Sequence, residues 1–375
     1  MISNIHIQHF KSLAEVSIQL SNLNVITGMN GMGKSSLIQV LLLLRQAYLR
    51  DSFAKGVYLN GNLTDKLGRF SEVIYRNATN DTILFGLTED EKTLTWTFEK
   101  TDIEDMLQGT IPNVTDVNNS LFSEKKCQYI SAGRITPNSI FSKSDWELKY
   151  KQFGKDGEFA IQYLMEKGTS PALFADALHT DTNEPLPLIE QVSYWLSKIT
   201  PNVSLDIRRK SNKEYDLYYK FFAQKEGFVS YSATNSAFGL TFSLPIIAAL
   251  LAAEKGDLLI LENPESDLHP QAQSMIGQLI ARAAAAGVQI IVETHSDHIL
   301  NGICVAIHNQ QLSHELAKVY YFHKPENVQH TTTYDVPIKA NGRLDEKYLR
   351  IVGIHGFFDQ LDKDLETILF SPQHA

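Results

Sequence analysis

Apolar and polar residues alternate at the beginning of the chain, which predicts β-strands. The alternation covers residues 2–10 and 14–20, and the short apolar run 23–27 has the length of a buried strand. A glycine-rich turn separates this run from an apolar helix predicted over residues 34–49. Two further apolar stretches flank the polar turn TEDEK and predict a hairpin over residues 82–98. This part of the chain therefore combines antiparallel strands with one buried strand and one helix.

The last third of the chain alternates between predicted strands and predicted helices. Each strand is a short apolar run, and each helix is long enough for several turns. Such alternation is typical of a mostly parallel sheet with helices on both faces, so the predicted fold class is α/β. The predicted strands are 257–262, 288–294, 317–324 and 331–338, and the predicted helices are 240–254, 270–286 and 296–307.

The region between these two parts has a weaker pattern and is predicted as a mixed insertion. Its stretch 108–120 is loop-like, amphipathic helices are predicted within 159–168 and 188–199, and two strands surround a charged turn in 204–221. No heptad repeat is sustained, which argues against a long coiled coil. The predicted organisation is an N-terminal lobe (1–100), the insertion (101–230), a C-terminal lobe (231–310) and a C-terminal extension (311–375).

Composition narrows the class of protein. The chain has 375 residues, 43% of them hydrophobic, and a net charge of −9, so a nucleic-acid contact would need a local basic patch. Cys127 and Cys304 have no paired spacing, which predicts neither a disulfide framework nor a thiolate metal site. The apolar stretches 40–44 and 244–253 are shorter than a membrane span, and the N-terminus does not have the pattern of a secretory signal. These features predict a soluble, cytoplasmic protein with no membrane partner.

The stretch GMNGMGKS, residues 28–35, has the spacing G-x-x-x-x-G-K-[ST] of a phosphate-binding loop. It follows a predicted strand and precedes a predicted helix, as the motif requires. Glycines let backbone N–H groups turn towards a phosphate, and the helix N-terminus adds partial positive charge. Lys34 is predicted to reach the β- and γ-phosphates, and the Ser35 hydroxyl to bind Mg²⁺. The predicted cofactors are therefore ATP and Mg²⁺, and the candidate nucleotide-binding residues here are Asn30, Gly31, Gly33, Lys34, Ser35 and Ser36.

Acidic residues end two of the predicted buried strands. In LLILENPESDLHP, Glu262 lies at the sheet edge where ligands of open α/β sheets bind, so we expect it to serve the metal together with Ser35. In IIVETHSDHI, Glu293 supplies a second carboxylate near the nucleotide. His295 follows, and an imidazole there would hydrogen-bond the γ-phosphate or the attacking water. A helix-capping acid and a structural histidine are the plainer interpretations.

Taken in order, GMNGMGKSS, LENPESDLHP and VETHSDHIL resemble the motifs of ABC-type P-loop ATPases of the AAA family. The opening IQHFKSL…LNVITGMNGMGKSSLIQVLLLLRQ is similar to the soluble group that includes the SMC, RecF and overcoming-lysogenization-defect proteins. The tail YYFHK…GRLDEKYLRIVGIHGFFDQLDKDL resembles a short C-terminal extension of one bacterial subfamily, of the anti-phage-defence type. The resemblance is weak from residue 100 to 227. It implies an ABC-type P-loop NTPase fold with N-terminal antiparallel strands and an insertion.

The resemblance also implies a homodimer that closes across ATP, or a higher oligomer. In such ATPases the phosphate-binding loop of one subunit faces a signature helix of the other. The best match to that helix is TNSAFGLTFSLP, in which Ser236 and Gly239 would offer a hydroxyl and N–H groups to the γ-phosphate. The stretch departs from the usual pattern, with Ala237 in place of a glycine and Phe242 in place of a glutamine. An ordinary helix start is the alternative.

Relatives often have the catalytic glutamate at the position of Asn263. An amide orients a water molecule but does not accept its proton at neutral pH. We therefore predict slow hydrolysis with Glu265 as the residue that activates water and Glu293 as another candidate. The glutamine loop of the relatives has no clear equivalent, although residues 66–75 are the expected region. Arg134, in YISAGRITP, is predicted either to reach phosphate or DNA or to form a structural ion pair.

Three functions fit these residues. The first is an ATP-driven switch in DNA repair or anti-phage defence, the second is a nucleotide-gated scaffold with little turnover, and the third is a small-molecule kinase, which would not need the histidine. Asp359, Asp362 and Asp364 have the pattern of a solvated helix face, so an effector such as a nuclease is predicted to be a partner protein encoded nearby. DNA is a further candidate partner through the basic run 208–213, which is also typical of a solvated turn.

Overall fold

Three β-sheets and eight α-helices are present in the part of the chain that the computed structural model describes. This part comprises residues 1–89, 91–114, 120–136, 138, 140–170, 186–223, 227–325, 328–345, 348, 364, 367 and 368. The predicted helix face with Asp359 and Asp362 lies outside it. None of the helices within these residues is both long and apolar enough to cross a membrane. In chain order the elements are β1 (Ile2–Phe10), β2 (Leu13–Gln19), β3 (Leu23–Gly28), α1 (Lys34–Leu49), β4 (Val57–Tyr58), α2 (Phe70–Val73), β5 (Thr82–Glu89), β6 (Lys92–Glu99), β7 (Met106–Thr110), β8 (Cys127–Ile130), β9 (Ile140–Ser142), α3 (Asp145–Lys149), α4 (Ala160–Lys167), α5 (Leu188–Ile199), β10 (Val203–Arg209), β11 (Glu214–Ala223), β12 (Gly227–Ser232), α6 (Phe238–Ala252), β13 (Leu258–Glu262), α7 (Pro270–Ala285), β14 (Gln289–Glu293), α8 (Asp297–His308), β15 (Ala317–His323) and β16 (Thr332–Asp335).

The central sheet contains six strands in the order β16-β15-β3-β14-β13-β8. All neighbours in it are parallel except β16, which runs antiparallel to β15. Its inner strands β3, β13 and β14 are short and almost wholly apolar because helices or the other sheet cover both of their faces. This sheet positions the candidate site at its carboxyl edge.

The N-terminal sheet is antiparallel, with the strand order β2-β1-β5-β6-β7-β4. Helix α1 lies between this sheet and the central one, since one hydrophobic cluster joins α1 side chains such as Leu41 to Phe85 of β5 and Ile260 of β13. Burial on both sides explains why α1 is apolar around most of its circumference. Packing against both sheets therefore fixes the position of the helix that follows the phosphate-binding loop.

The third sheet belongs to the middle of the chain. Strands β10, β11 and β12 are antiparallel neighbours, and β9 pairs with the beginning of β11. Side chains from β11 and from helices α4 to α8 form the second hydrophobic cluster, which also covers one face of the central sheet. The middle region is therefore packed onto the C-terminal lobe.

The structure confirms the predicted α/β class with a mostly parallel sheet, and it has the predicted helix α1 and the β5–β6 hairpin. The loop predicted over 108–120 is wrong at its beginning, because Gln108–Thr110 belong to β7 and pair with β6. Strand β8 was not predicted, since four residues carry little periodic signal. It pairs with β13, so the range 101–230 contributes a strand to the central sheet.

Candidate functional site

The carboxyl ends of three neighbouring strands form the candidate site. Strands β3, β14 and β13 lie side by side, and the chain leaves the sheet at the end of each. Their register places Glu293 beside Ile26 on one side and beside Glu262 on the other. Because residues in register share a face of the sheet, the two carboxylates project side by side next to the loop that follows β3. The predicted convergence of these motifs is therefore observed.

The loop after β3 has the backbone that only glycine adopts without strain. Gly31 and Gly33 have φ angles of 76° and 90°, and a side chain at Gly28 would collide with the carbonyl oxygen of Phe322 on β15. No side chain caps the start of α1 at Gly33, which leaves this helix N-terminus suited to an anion. Asn30 and Gly31 are exposed at the tip of the loop, and Ser36 is buried beneath it.

Lys34 is folded back onto the loop. Its Nζ atom donates hydrogen bonds of 2.8 Å to the carbonyl oxygens of Gly28 and Met29. Burial lowers the pKa of Lys34, and the carboxylates of Glu293 and Glu265 oppose this shift. The ammonium group therefore lies within electrostatic range of both acids and next to the N–H groups that would face a phosphate.

Ser35 and Glu293 form the contact between the loop and the strand ends. The Ser35 hydroxyl donates to Glu293 Oε1 over 2.9 Å, whereas Glu293 Oε2 is buried with no hydrogen-bond donor among the described residues. Burial, assisted by the negative charge of Glu262, raises the pKa of Glu293 to about 7. A buried carboxylate oxygen without a partner is costly, and carboxylate and hydroxyl oxygens are the ligands that Mg²⁺ prefers. The residues present therefore fit a magnesium ion held by Ser35 and Glu293.

Glu262, which we expected to bind the metal together with Ser35, is instead hydrogen-bonded to Tyr129 of β8 and to Ala132, which follows β8. Its Oε2 atom accepts hydrogen bonds from the Tyr129 hydroxyl at 3.0 Å and from the backbone N–H of Ala132 at 3.4 Å. Burial raises the pKa of Glu262 as well. One cavity of about 300 Å³ is lined by Ser35, Glu262, Asn263 and Glu293, among others. Glu262 is thus close to the Ser35–Glu293 pair but not hydrogen-bonded to Ser35.

The wall of this cavity also includes residues at the beginning of the region expected for the glutamine loop. Thr64, Asp65 and Leu67 line it, and Lys155 Nζ lies 3.0 Å from Asp65 Oδ2. The expected region, 66–75, contains no glutamine.

Glu265 fixes the turn that carries His295. Its carboxylate accepts hydrogen bonds from the backbone N–H of His295 at 2.7 Å and from the Thr294 hydroxyl at 2.8 Å. Partial burial, and then the charge of Lys34, lower the pKa of His295, so the imidazole is neutral at neutral pH. Asn263 has a φ of 45° and donates its backbone N–H to the Glu293 carbonyl at 2.8 Å. Hydrogen bonds therefore connect the catalytic candidates within one region, which contains Asn263, Glu265, Glu293 and His295.

A second cavity, of about 470 Å³, lies next to the phosphate-binding loop, since Ser12 lines the cavity and also contacts Gly33. The hydroxyl of Thr331 joins it to the loop, because Thr331 Oγ1 is 2.8 Å from Ser12 Oγ and 2.9 Å from the Met32 carbonyl oxygen. Sequence reasoning missed these residues, which are separated by more than three hundred positions and have no motif of their own. The cavity is lined by Lys11, Ser12, Tyr75, Arg76, Asn77, Lys324, Val328 and Gln329.

The proposed signature residues lie at the start of α6, away from the loop of their own chain. Gly239 is in the first helical turn, where a Cβ atom would be 2.8 Å from the Asp267 carbonyl oxygen. Ser236 precedes the helix, and its hydroxyl donates to the Ser232 carbonyl at 3.1 Å. Phe238 between them is exposed. The close approach explains Gly239 without a nucleotide, while the open helix start remains accessible to another subunit.

Arg134 has a structural position, but its hydrogen-bond acceptors are backbone carbonyls rather than the carboxylate of an ion pair. It is 2% exposed, and its guanidinium donates to the carbonyl oxygens of Phe242, Glu262 and Asn263 at 3.0, 2.8 and 2.8 Å. It also lies over the Phe242 ring, 4.2 Å from its centroid. Burial lowers the pKa of Arg134 to about 10. Arg134 therefore connects the signature helix to the end of β13 through backbone carbonyls.

Comparison with known protein families matches the N-terminal and the C-terminal parts of the site to ATPase domains. A family model described as an AAA ATPase domain matches residues 1–167, and one described as an AAA domain of the AbiEii-toxin type, type IV toxin–antitoxin system, matches residues 191–301. A family of unknown function, DUF3696, matches residues 312–368. A search of curated proteins finds no match. The two AAA matches together contain every motif of the site.

Solved structures with a similar fold include SMC head domains. An SMC head bound to the C-terminal winged-helix domain of ScpA has 12% identity and a TM-score of 0.54, with 90% of this chain and 98% of that chain covered. The SMC head of Thermotoga maritima has 12% identity and a TM-score of 0.43, covering 90% and 99%. A Pyrococcus furiosus SMC head with ScpA has 13% identity and a TM-score of 0.49, covering 94% and 98%. Only the first score exceeds 0.5. The two AAA matches and the likeness to an SMC head therefore support an ATPase of the AAA class with an SMC-head-like fold.

Proposed function

We propose that this chain is an ATP-driven switch that binds ATP with Mg²⁺, closes as a homodimer across the nucleotide and hydrolyses it slowly. The observation that carries the proposal is the convergence of Lys34, Ser35 and Glu293 at the ends of adjacent parallel strands. Lys34 supplies positive charge for phosphate oxygens, and the other two supply oxygen ligands for a divalent cation. A nucleoside triphosphate with its magnesium ion requires the positive charge and the oxygen ligands at one place.

The chain's own residues bind and orient the nucleotide in this proposal. Lys34 Nζ exchanges the carbonyl oxygens of Gly28 and Met29 for phosphate oxygens, which the N–H groups at the start of α1 also bind. Ser35 and Glu293 would hold Mg²⁺, whose charge would offset that of the phosphate oxygens. The cavity beside Ser12 has the size and position to accept the nucleobase and ribose.

Hydrolysis requires a group that takes a proton from the attacking water. Glu265 is the candidate, because its carboxylate lies at the His295 backbone and within electrostatic range of Lys34. His295 and the amide of Asn263 would orient the water and the γ-phosphate. As the water oxygen bonds to phosphorus, the bond to the ADP oxygen breaks, and the products are ADP and phosphate.

Glu265→Gln is expected to lower the ATP turnover rate about 100-fold while ATP affinity stays unchanged, because glutamine does not accept a proton. Steady-state phosphate release and nucleotide binding at equilibrium measure the two quantities. Asp267→Asn is the matched control, since Asp267 lies in the same turn and its φ of 60° is tolerated by asparagine. A Glu265→Gln chain that hydrolyses ATP at the normal rate would exclude Glu265 as the base.

Dimerisation predicts that the particle mass doubles when ATP and Mg²⁺ are added. Light scattering after size-exclusion chromatography measures the mass, with Glu265→Gln used to prevent turnover. Ser236→Arg is expected to block the doubling, because it places a long side chain at the start of α6. Ser211→Arg, in the exposed β10–β11 turn, is the control and should have no effect. A mass that is the same with and without ATP contradicts the nucleotide-bridged dimer.

A nucleotide-gated scaffold with little turnover is the second candidate function. It is favoured by Asn263, which lines the same cavity as Ser35 and Glu262 and stands where relatives often have the catalytic glutamate. Both candidates bind ATP, so binding does not separate them. Turnover that Glu265→Gln abolishes supports the switch, whereas ATP binding without turnover supports the scaffold.

The cellular role that we propose is anti-phage defence or genome maintenance through an effector protein. The match to the AbiEii-type domain favours defence, and the winged-helix domain bound to an SMC head offers a precedent for a protein partner.

DNA contact through the run 208–213 has less support. Arg208 lies 2.5 Å from Asp206, Arg209 lies 2.8 Å from Glu166, and Lys210 lies 3.9 Å from Asp216, so carboxylates offset these charges. A protein effector is therefore favoured over DNA.

A further inference from the structure

The segment between β15 and β16 reaches the phosphate-binding loop through Thr331. Thr331 is 1% exposed, and its Oγ1 atom lies 2.8 Å from Ser12 Oγ and 2.9 Å from the Met32 carbonyl oxygen. Its backbone N–H also donates to the Ser12 carbonyl at 2.9 Å. Met32 is 299 positions away along the chain. Hydrogen bonds therefore attach a distant, buried residue to the loop 28–35 and to Ser12.

The donors and acceptors of the two hydroxyl contacts follow from the number of protons. A hydroxyl group has one proton to donate, and a carbonyl oxygen only accepts. For both contacts to be hydrogen bonds, Thr331 donates to the Met32 carbonyl and the Ser12 hydroxyl donates to Thr331 Oγ1. Thr331 is therefore the donor that holds the carbonyl group of a loop residue.

The Met32 carbonyl group determines the direction of the next N–H group. The two belong to one planar trans peptide, in which C=O and N–H point in opposite directions. Since the Met32 carbonyl is directed at Thr331, the Gly33 N–H is directed away from it. In the described part of the chain this N–H has no hydrogen-bond acceptor, although the Gly33 carbonyl accepts from the Ser36 N–H at 3.1 Å. A free donor of fixed direction thus lies immediately before α1.

Ser12 and Thr331 also fill the space beside Gly33. Gly33 has a φ of 90°, and a Cβ atom there would be 2.6 Å from Ser12 Oγ and 3.0 Å from Thr331 Oγ1. Only glycine fits such a position without strain. Because loops of this motif bind phosphate with backbone N–H groups, the free side of the peptide is the side that a phosphate would approach.

We propose that Thr331 is a positioning residue of the nucleotide site and keeps the Gly33 N–H directed at a phosphate oxygen of ATP. Without the Thr331 hydroxyl, the peptide between Met32 and Gly33 rotates more freely, and the N–H group loses the direction that phosphate binding requires. The proposal rests on the proposed ATP site and adds to it a residue that does not touch the nucleotide. Loss of the hydroxyl weakens binding by reducing preorganisation rather than by removing a contact with ATP.

The same segment supplies part of the second cavity. Lys324, Val328 and Gln329 line this cavity beside the loop. Thr331 and these three residues lie within residues 312–368, which match the family of unknown function and lie outside both AAA matches. A role for this range follows from the proposal, since it completes the nucleotide site of the ATPase.

Thr331→Val is the first test, because valine keeps the branched shape and lacks the donor. The dissociation constants for ATP and for ADP are both expected to rise about tenfold, since both nucleotides carry the β-phosphate that the loop binds. Thr331→Ser retains the hydroxyl and is expected to bind ATP within about twofold of the wild type. Thr333→Val, the same substitution on β16, is the matched control and should bind normally.

The kinetic constants separate positioning from a loss of folded protein. Weaker phosphate binding raises KM for ATP and leaves kcat unchanged, whereas a smaller folded fraction lowers the apparent kcat and leaves KM unchanged. Wild-type binding of ATP that Thr331→Val leaves unchanged overturns this proposal alone. A wild-type chain that does not bind ATP overturns the proposed function and this proposal together.

The second test observes the peptide between Met32 and Gly33 directly by NMR. The dipeptide Met–Gly occurs once in the sequence, so a full chain with ¹³C at the methionine carbonyls and ¹⁵N in glycine gives one correlated amide signal. Without nucleotide, Thr331→Val is expected to move the Met32 carbonyl resonance, because the carbonyl loses its hydrogen bond, and Thr333→Val should leave it in place. A resonance that Thr331→Val does not move contradicts the proposed role, whether or not ATP binds.

Discussion

Replacing Lys34 with alanine is expected to lower ATP hydrolysis about 1,000-fold and to weaken ATP binding, because a preorganised charge at the phosphates is lost. The structure gives the reason. Lys34 Nζ is held by two loop carbonyls, so the charge is already placed within the phosphate-binding loop before a ligand enters. Binding of a fluorescent ATP analogue and phosphate release measure the two effects.

The control for this variant is Lys318→Ala. Lys318 is on β15, next to β3, and pairs with Asp335 at 2.9 Å on the surface, so its removal should change neither quantity. Far-ultraviolet circular dichroism checks that the Lys34→Ala chain is folded. A folded Lys34→Ala chain that binds and hydrolyses ATP normally would show that the loop 28–35 is not the nucleotide site.

Replacing Arg134 with alanine is expected to lower the free energy of unfolding by about 3–4 kcal/mol, because a buried hydrogen-bonded cation is lost and its acceptors are left unpaired. The carbonyl oxygen of Phe242, which is buried, and those of Glu262 and Asn263, which are partly buried, lose their charged donor. The Phe242 ring also loses the planar group that covers it. Urea unfolding followed by tryptophan fluorescence measures the change.

Arg69→Ala is the matched control for this prediction. Arg69 is strongly exposed and pairs with Glu104 at 3.2 Å, so its loss should change stability by less than about 1 kcal/mol. Arg134→Lys is expected to recover only part of the stability, since a single ammonium group does not reproduce the planar fork of donors. Equal effects of Arg134→Ala and Arg69→Ala would contradict the role of Arg134 as a buried connection.

The sequence by itself determined the parts of the site that depend on neighbouring residues. The loop 28–35, helix α1 and the glutamates that end β13 and β14 were all predicted, because glycine conformations, helix starts and strand ends are encoded within a few positions. The parallel α/β class followed from the alternation of short apolar strands with helices. Even the shared edge of Glu262 and Glu293 was foreseeable, since parallel strands end on the same side.

Only the tertiary structure decided which of these residues meet. Ser35 hydrogen-bonds Glu293 rather than Glu262 because β14, not β13, is the neighbour of β3, and strand order leaves no trace in local periodicity. The same holds for Arg134, whose carbonyl partners on Phe242, Glu262 and Asn263 lie more than a hundred positions away, and for the contact of Thr331 with Ser12. Long-range packing, which brings distant segments together by burying apolar surface, fixed these features.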